Sequence, residues 1–107
     1  AERFVGLLLE ANLGMNLTGA RDPAAAMRHV RDSLALLPAL HRCLAPGGDE
    51  PGAPPRVIDV GSGAGFPGLV LAMARPGWRF CLLDSLKKRC SFLEAAARDA
   101  GLANVEV

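Results

Sequence analysis

The sequence predicts an α/β fold in which N-terminal helices precede the front half of a parallel, helix-covered sheet. Before residue 45 the apolar residues recur at three- and four-residue steps. Past residue 55, short β-branched runs alternate with helical stretches in a β-α-β-α-β order, the alternation that builds parallel sheets. Between the first strand and its helix stands a loop with four glycines in eight positions, Gly61, Gly63, Gly65 and Gly68.

Residues 2 to 13 set Phe4, Val5, Leu8, Leu9, Asn12 and Leu13 at near-helical spacing, and Gly14 ends the run. Asn16 to Asp22 is rich in turn residues. Asp22 followed by Pro23 supplies an N-cap and a proline at the first helical position. Behind it Ala26, Met27, Val30, Leu34 and Leu37 predict an amphipathic helix over about 23–37, with a second short turn through Leu40 to Leu44. APGGDEPGAPP, residues 45–55, holds four prolines and three glycines and reads as a surface linker. The expected organisation is a helical segment over 1–44, the linker over 45–55, and the first half of a ligand-binding α/β domain over 56–107.

Within that last part, Val57 to Val60 reads as a short buried strand. Phe66 to Ala74 reads as a helix stopped by Pro76-Gly77, and Trp78 to Leu83 as a second strand ending in Asp84. Ser85 or Leu86 starts a helix through Ala100, with Leu86, Cys90, Leu93, Ala96 and Ala97 facing inward and Gly101 as its stop. Asn104 to Val107 opens a third strand. Parallel sheets need cover on both faces and neighbours, so this reads as the front half of a larger domain.

The 107 residues are half hydrophobic and carry 12 basic against 11 acidic side chains, net +1. That composition supports a packed core, excludes a disordered tail, and makes no broad case for nucleic acid. Arg21, Arg28, Arg31 and Lys87-Lys88-Arg89 are local basic clusters. Cys43, Cys81 and Cys90 form no CxxC pair and no zinc spacing; a dispersed odd set reads as reduced thiols in an intracellular compartment. No metal site is expected. No apolar run approaches the roughly 18 residues of a membrane span, and AERFVGLLLE is too short and acidic for a signal peptide. A soluble, cytoplasmic monomer without membrane contact is expected, or a plastid or mitochondrial one in a eukaryote.

A glycine-rich turn between strand and helix presents backbone N–H groups at the strand's C-terminal edge, where open α/β sheets bind ligands. A P-loop requires Lys and Ser/Thr after its last glycine; Leu69-Val70 stand there, so that reading fails. Gly63-Ala64-Gly65-Phe66-Pro67-Gly68 matches the dinucleotide fingerprint, with Asp84 21 residues beyond Gly63 as a ribose-binding carboxylate. Asp59, two places before Gly61, argues otherwise, because it adds negative charge beside a pyrophosphate. It suits S-adenosylmethionine, which carries a sulfonium and an ammonium and no phosphate. On charge, S-adenosylmethionine is the favoured ligand, with Asp59 near its methionine end and Asp84 on its ribose. Three plainer roles stand beside this one. Asp59 can bind loop amides, Asp84 can cap the next helix, and the glycines can serve helix–strand packing.

The same residues resemble a known family. D-V-G-S-G-A-G-F-P-G, then R-P, then L-L-D-S-L-K-K-R and F-L resemble the bacterial-type 16S rRNA guanine-N7 methyltransferases, also called glucose-inhibited division protein B. Asn16-Leu17-Thr18, Arg21-Asp22-Pro23, Arg28-His29-Val30 and Asp32-Ser33-Leu34 resemble the NLT, RDP and RH-(I/V)-x-DSL signature of that family's N-terminal part. The resemblance runs from about Asn12 to Val107. It implies a Rossmann-like class I fold, S-adenosylmethionine as cofactor, and 7-methylguanosine in small-subunit rRNA as product. The partner implied is 16S rRNA or the small ribosomal subunit. By position, Gly61 and Phe66 match cofactor-contacting loop residues, with Gly63 and Gly65 between them. Asp84, Ser85 and Leu86 fall where the second strand meets adenosine, and Asn16 matches an asparagine used near the active site. The chain departs from the family in having Ala11 where a tryptophan is usual, and in its longer linker. The family also continues past Val107, through a later acidic strand end and basic RNA-contacting residues.

Guanine N7 has an in-plane lone pair and no proton to lose, so the implied transfer needs no general base. Orientation alone reaches roughly 7–11 kcal/mol in well-ordered systems. His29, Asp32 and Ser33 share one helical face; they are expected to brace the N-terminal helix against the glycine loop, with Asp32 on loop amides, and direct contact with substrate or cofactor is the alternative. The readings that compete with the methyltransferase are an NAD(P)-binding oxidoreductase and a non-catalytic cofactor- or RNA-binding fragment.

Overall fold

The computed structural model describes residues 2–15, 22–44 and 54–107. Most of the expected linker, with Asn16 and Arg21, lies outside them. The chain runs α1 (Glu2–Met15), α2 (Pro23–Leu34), α3 (Leu37–Leu44), β1 (Arg56–Val60), α4 (Gly68–Ala74), β2 (Arg79–Leu83), α5 (Lys87–Asp99) and β3 (Val105–Glu106).

Local chemistry explains the boundaries. Asp22 caps α2 as expected, its Oδ1 accepting the Ala25 N–H at 2.9 Å ahead of Pro23. The expected helix over 23–37 instead breaks at Leu34 and restarts at Leu37. Pro38 explains the break: it has no N–H to give to an uninterrupted helix but fits the first turn of a new one. Helix α4 begins at Gly68 rather than Phe66, because Gly65 sits at φ +96° and the residue before a proline, here Phe66, is disfavoured in the helical region. Helix α5 begins at Lys87, with Leu86 at its N-cap in an extended conformation. Leu86 is therefore 51% exposed, contrary to the inward position expected of it.

The three strands are parallel and ordered β1-β2-β3, with Val57 opposite Phe80, Asp59 opposite Leu82, and Phe80 opposite Val105. Two successive right-handed crossovers in the same direction put α4 and α5 on the same face of the sheet. That face holds the core: Phe80 and Leu82 from β2, Leu69 and Leu71 from α4, and Leu93 and Ala96 from α5. Helices α1 and α2 join the same core through Phe4, Val5, Leu8, Ala26 and Val30. Each fully buried leucine contributes about 1.5–3 kcal/mol of transfer free energy. Asn12, 2% exposed, is a polar residue inside the α1 stripe.

Among the described residues, nothing covers the other face. Strand alternation turns Ile58 and Val60 of β1 and Leu83 of β2 that way, and they are 64%, 79% and 44% exposed. Strand β1 was expected to be buried; only Val57 and Asp59 face the helices, and both are half-buried. Among the described residues no helix is long and apolar enough to cross a membrane.

Asn104 ties the far end of the sheet together. Its Nδ2 donates to the carbonyls of Ala72, Arg75 and Trp78 at 3.2, 3.0 and 3.0 Å. One amide thus gathers the end of α4 and the turn into β2, beside the start of β3. A cleft of about 620 Å³ lies at this end, between Trp78, Arg79, Gly101 and Asn104.

Candidate cofactor site

Strand β1 ends in a loop whose backbone bends back onto the end of β2. The N–H groups of Gly61 and Ser62 both donate to the Leu83 carbonyl, at 2.8 and 3.0 Å. The buried Ser62 hydroxyl donates to the Asp59 carbonyl at 2.8 Å, and the Gly65 N–H to the Ser62 carbonyl at 2.7 Å. The loop is thus a closed, internally bonded turn rather than a floppy connection.

Its four glycines fall into two pairs. Gly61 (φ +78°) and Gly63 (φ +49°) occupy the left-handed region, where side chains are strained. Their missing Cβ atoms face open space: at Gly61 nothing lies within 4 Å, and at Gly63 the nearest atoms are 3.8 and 4.0 Å away. Gly65 and Gly68 face protein. A Cβ on Gly65 would stand 3.1 Å from Leu69 Cβ and 3.2 Å from Phe4 Cζ. On Gly68 it would strike Leu82 and come within 2.6 Å of Asp59 Oδ2. Close packing explains the second pair, while the first leaves a cradle that any side chain would begin to fill.

Asp84 stands at the lip of this cradle. Its Oδ2 accepts the Gly63 N–H at 3.0 Å and its Oδ1 accepts the Leu86 N–H at 3.0 Å. Arg89 lies 3.8 Å from Oδ2, and the side chain is only 4% exposed. The Leu86 N–H most of all, then those of Gly63 and Ser85 and the Arg89 charge, overcome desolvation and hold this carboxyl below its ordinary pKa. The Asp84 carbonyl accepts the Cys90 thiol at 3.3 Å.

Asp59 lies under the loop. Its Oδ2 accepts the Gly68 N–H at 3.0 Å, fixing the first residue of α4. Burial pushes its pKa above the ordinary value, against the lowering by the Gly68 N–H and the Ser62 hydroxyl. Phe66 is half-buried between two rings, Phe4 edge-on at 5.6 Å and His29 at 5.2 Å.

The structure therefore gathers Asp59, Gly61, Gly63, Gly65, Phe66 and Asp84 at the C-terminal ends of β1 and β2, with exposed Ser85 and Leu86 beside them. Asn16 lies outside the described residues. The brace expected from His29, Asp32 and Ser33 takes a different form. Asp32 is exposed, and the loop amides find other partners: Gly61 and Ser62 at the Leu83 carbonyl, Gly65 at the Ser62 carbonyl, and Gly63 and Gly68 at the carboxylates of Asp84 and Asp59. Ser33 donates to the His29 carbonyl within α2, and His29 meets the loop through its ring. Arg28, Lys87 and Lys88 are exposed, while Arg89 is half-buried beside Asp84. Among the described residues no three His, Cys, Asp or Glu side chains gather as metal ligands do.

The sequence that folds into this glycine cradle, with a carboxylate ending the neighbouring strand, is matched by a family profile. The profile described as rRNA small subunit methyltransferase G matches residues 1–107. The chain belongs to the rRNA small subunit methyltransferase G family. Ribosomal RNA small subunit methyltransferase G of Solibacter usitatus (strain Ellin6076) is 45% identical over 108 residues, covering 100% of this chain and 46% of that protein. Its namesake from Nitrosospira multiformis is 43% identical over 106 residues, covering 98% of this chain and 44% of that protein. The Wolinella succinogenes protein of the same name is 40% identical over 109 residues, covering 99% and 49%. The chain thus spans a little under half the length of these relatives. Membership in the methyltransferase G family agrees with the Rossmann-like α/β architecture, with parallel strands carrying the loop at their C-terminal ends.

Phe4 and Asn104 were not legible as site or scaffold residues. Phe4 reads as one more member of an apolar helical stripe. Asn104 reads only as the opening residue of the third strand, with nothing to mark its side chain as a brace. The Arg28-His29-Val30 signature did point to α2, without saying that the histidine ring would be the part in contact.

Proposed function

We propose that this chain forms the S-adenosylmethionine-binding half of an enzyme that methylates guanine N7 in 16S rRNA, within the free RNA or the small ribosomal subunit. The observation that carries the reading is the pair Gly63 and Asp84. A carboxylate is held at the lip of a loop whose open side is kept free of side chains by two glycines at positive φ. A ribose diol and a cationic methionine end fit such a cradle; a pyrophosphate would meet the charges of Asp84 and Asp59. The names of the relatives supply the substrate class, an rRNA of the small subunit.

In this reading Asp84 accepts the ribose hydroxyls with the lone pairs its two amide partners leave free. Gly61 and Gly63 let the ligand approach the backbone, with Gly65 and Phe66 continuing the wall. Ser85 and Leu86 flank the adenine side. Asp59 acts from beneath, holding the loop through Gly68 and placing negative potential under the methionine end. Asn16 stands on the substrate side. The bound cofactor supplies an electrophilic methyl group. The residues of the chain bind and orient; guanine N7 has no proton for them to remove.

Calorimetric titration with S-adenosylmethionine and, separately, NADH tests the reading. Heat with S-adenosylmethionine alone is expected. Heat with NADH alone would replace it with an oxidoreductase.

A further inference from the structure

We infer that His29 is a positioning residue of the cofactor loop, acting through Phe66. The inference rests on the cofactor reading above and adds to it a residue from α2.

Phe66 follows Gly65, whose φ of +96° gives the loop its bend but does not dictate where the next side chain lies. Two rings from outside the loop do so. Phe4 meets it edge-on, with centroids 5.6 Å apart and planes at 71°. Phe4 is itself core: it is 4% exposed, tilts against Phe92 at 6.4 Å, and touches the space above Gly65. His29 meets Phe66 at 5.2 Å with planes at 36°.

His29 differs from Phe4 in having little other reason to be there. It lies outside the buried line of α2, which is Ala26, Val30 and Ser33, and it is exposed. An exposed side chain on a helix ordinarily keeps its rotamer freedom in water. This one lies over an aromatic ring at the mouth of the glycine cradle. Helix α2 is fixed at its start by the Asp22 cap and along its length by Ala26 and Val30 in the core. Its position is therefore set independently of the loop, and His29 transmits that position to Phe66. Without the imidazole, one face of Phe66 is uncovered, and the ligand must order a ring that is now held before it arrives.

A double-mutant cycle read by calorimetric affinity for S-adenosylmethionine separates this role from the alternatives. His29→Ala is expected to weaken binding about threefold to tenfold, the size of one aromatic contact. His29→Phe, which restores a ring, should recover most of the loss. In a Phe66→Ala background, His29→Ala should have no further effect. In the cofactor-free chain, His29→Ala should shift the Phe66 ring resonances by NMR and leave the amides of Ile58 and Val60 in place. Equal losses in both backgrounds, no rescue by His29→Phe, or unchanged affinity in His29→Ala would each overturn the inference while leaving the cofactor reading intact. A parent chain that binds no S-adenosylmethionine would overturn both.

Discussion

Gly63 and Asp84 are 21 positions apart in the chain, and the amide of one lies 3.0 Å from the carboxylate of the other. That single bond joins the loops after β1 and β2, so the two walls of the cradle move as one. The same carboxylate takes the Leu86 amide at 3.0 Å, which starts α5 in register with the loop.

Replacing Asp84 should therefore be felt twice. Asp84→Ala is expected to weaken S-adenosylmethionine binding about tenfold or more, as the loss of a charge-assisted hydrogen bond predicts. Calorimetry reads this directly. Its effect on stability has a defined sign. The Asp84 carboxyl is held below its ordinary pKa, so its contribution is complete above the unfolded value of about 4 and is lost as pH falls through the lower folded value. Melting curves taken downward from pH 5 should show the parent losing its advantage over Asp84→Asn.

The two pairs of glycines should separate in experiment. Gly65→Ala meets Phe4 and Leu69 at a positive φ and should lower stability by about 1–3 kcal/mol, measurable by urea unfolding. Gly63→Val has room around its Cβ, so its cost to folding is about 1–2 kcal/mol of backbone strain. It should nevertheless abolish S-adenosylmethionine binding, because its methyls enter the cradle.

Asp59→Asn distinguishes charge from shape. The amide oxygen can still accept the Gly68 N–H, so the loop should hold. Burial raises the Asp59 pKa, which means that its stabilising share is present below the unfolded pKa and is lost as pH rises through the folded value. The variant should therefore match or exceed the parent in melting temperature at pH 7 and lose that margin in acid. If Asp59 supports the methionine end, S-adenosylmethionine affinity should fall while stability does not.

Asn104→Ala removes the donor shared by three carbonyls, those of Ala72, Arg75 and Trp78. Leaving part-buried acceptors unpaired costs about 1–3 kcal/mol. Denaturant unfolding should show that loss, with cofactor affinity barely changed, since Asn104 lies at the end of the sheet away from the cradle.

Much of this molecule is legible in its sequence because local signals and global fold agree. The cap at Asp22-Pro23, the alternation after residue 55, and the spacing from Gly63 to Asp84 each act over short range or along a standard unit. What stayed hidden depends on neighbours distant in sequence. Nothing in the glycine pattern says that Gly68 is filled by Leu82 and Asp59 while Gly61 is open. The run Val57 to Val60 is apolar at three of its four positions and so looks buried on both faces, yet Ile58 and Val60 face outward because both crossover helices lie on the opposite side. Leu86 reads as the first inward residue of a helix; the Asp84 carboxylate takes its amide instead and turns the side chain out.

The uncovered sheet face has a practical consequence at the bench. Ile58, Val60 and Leu83 form an apolar strip in the folded chain, and reporter dyes that brighten on contact with such surfaces will glow before any heating begins. A dye-based melt would start from a high baseline and understate the transition, whereas far-ultraviolet circular dichroism, blind to that strip, would follow it cleanly.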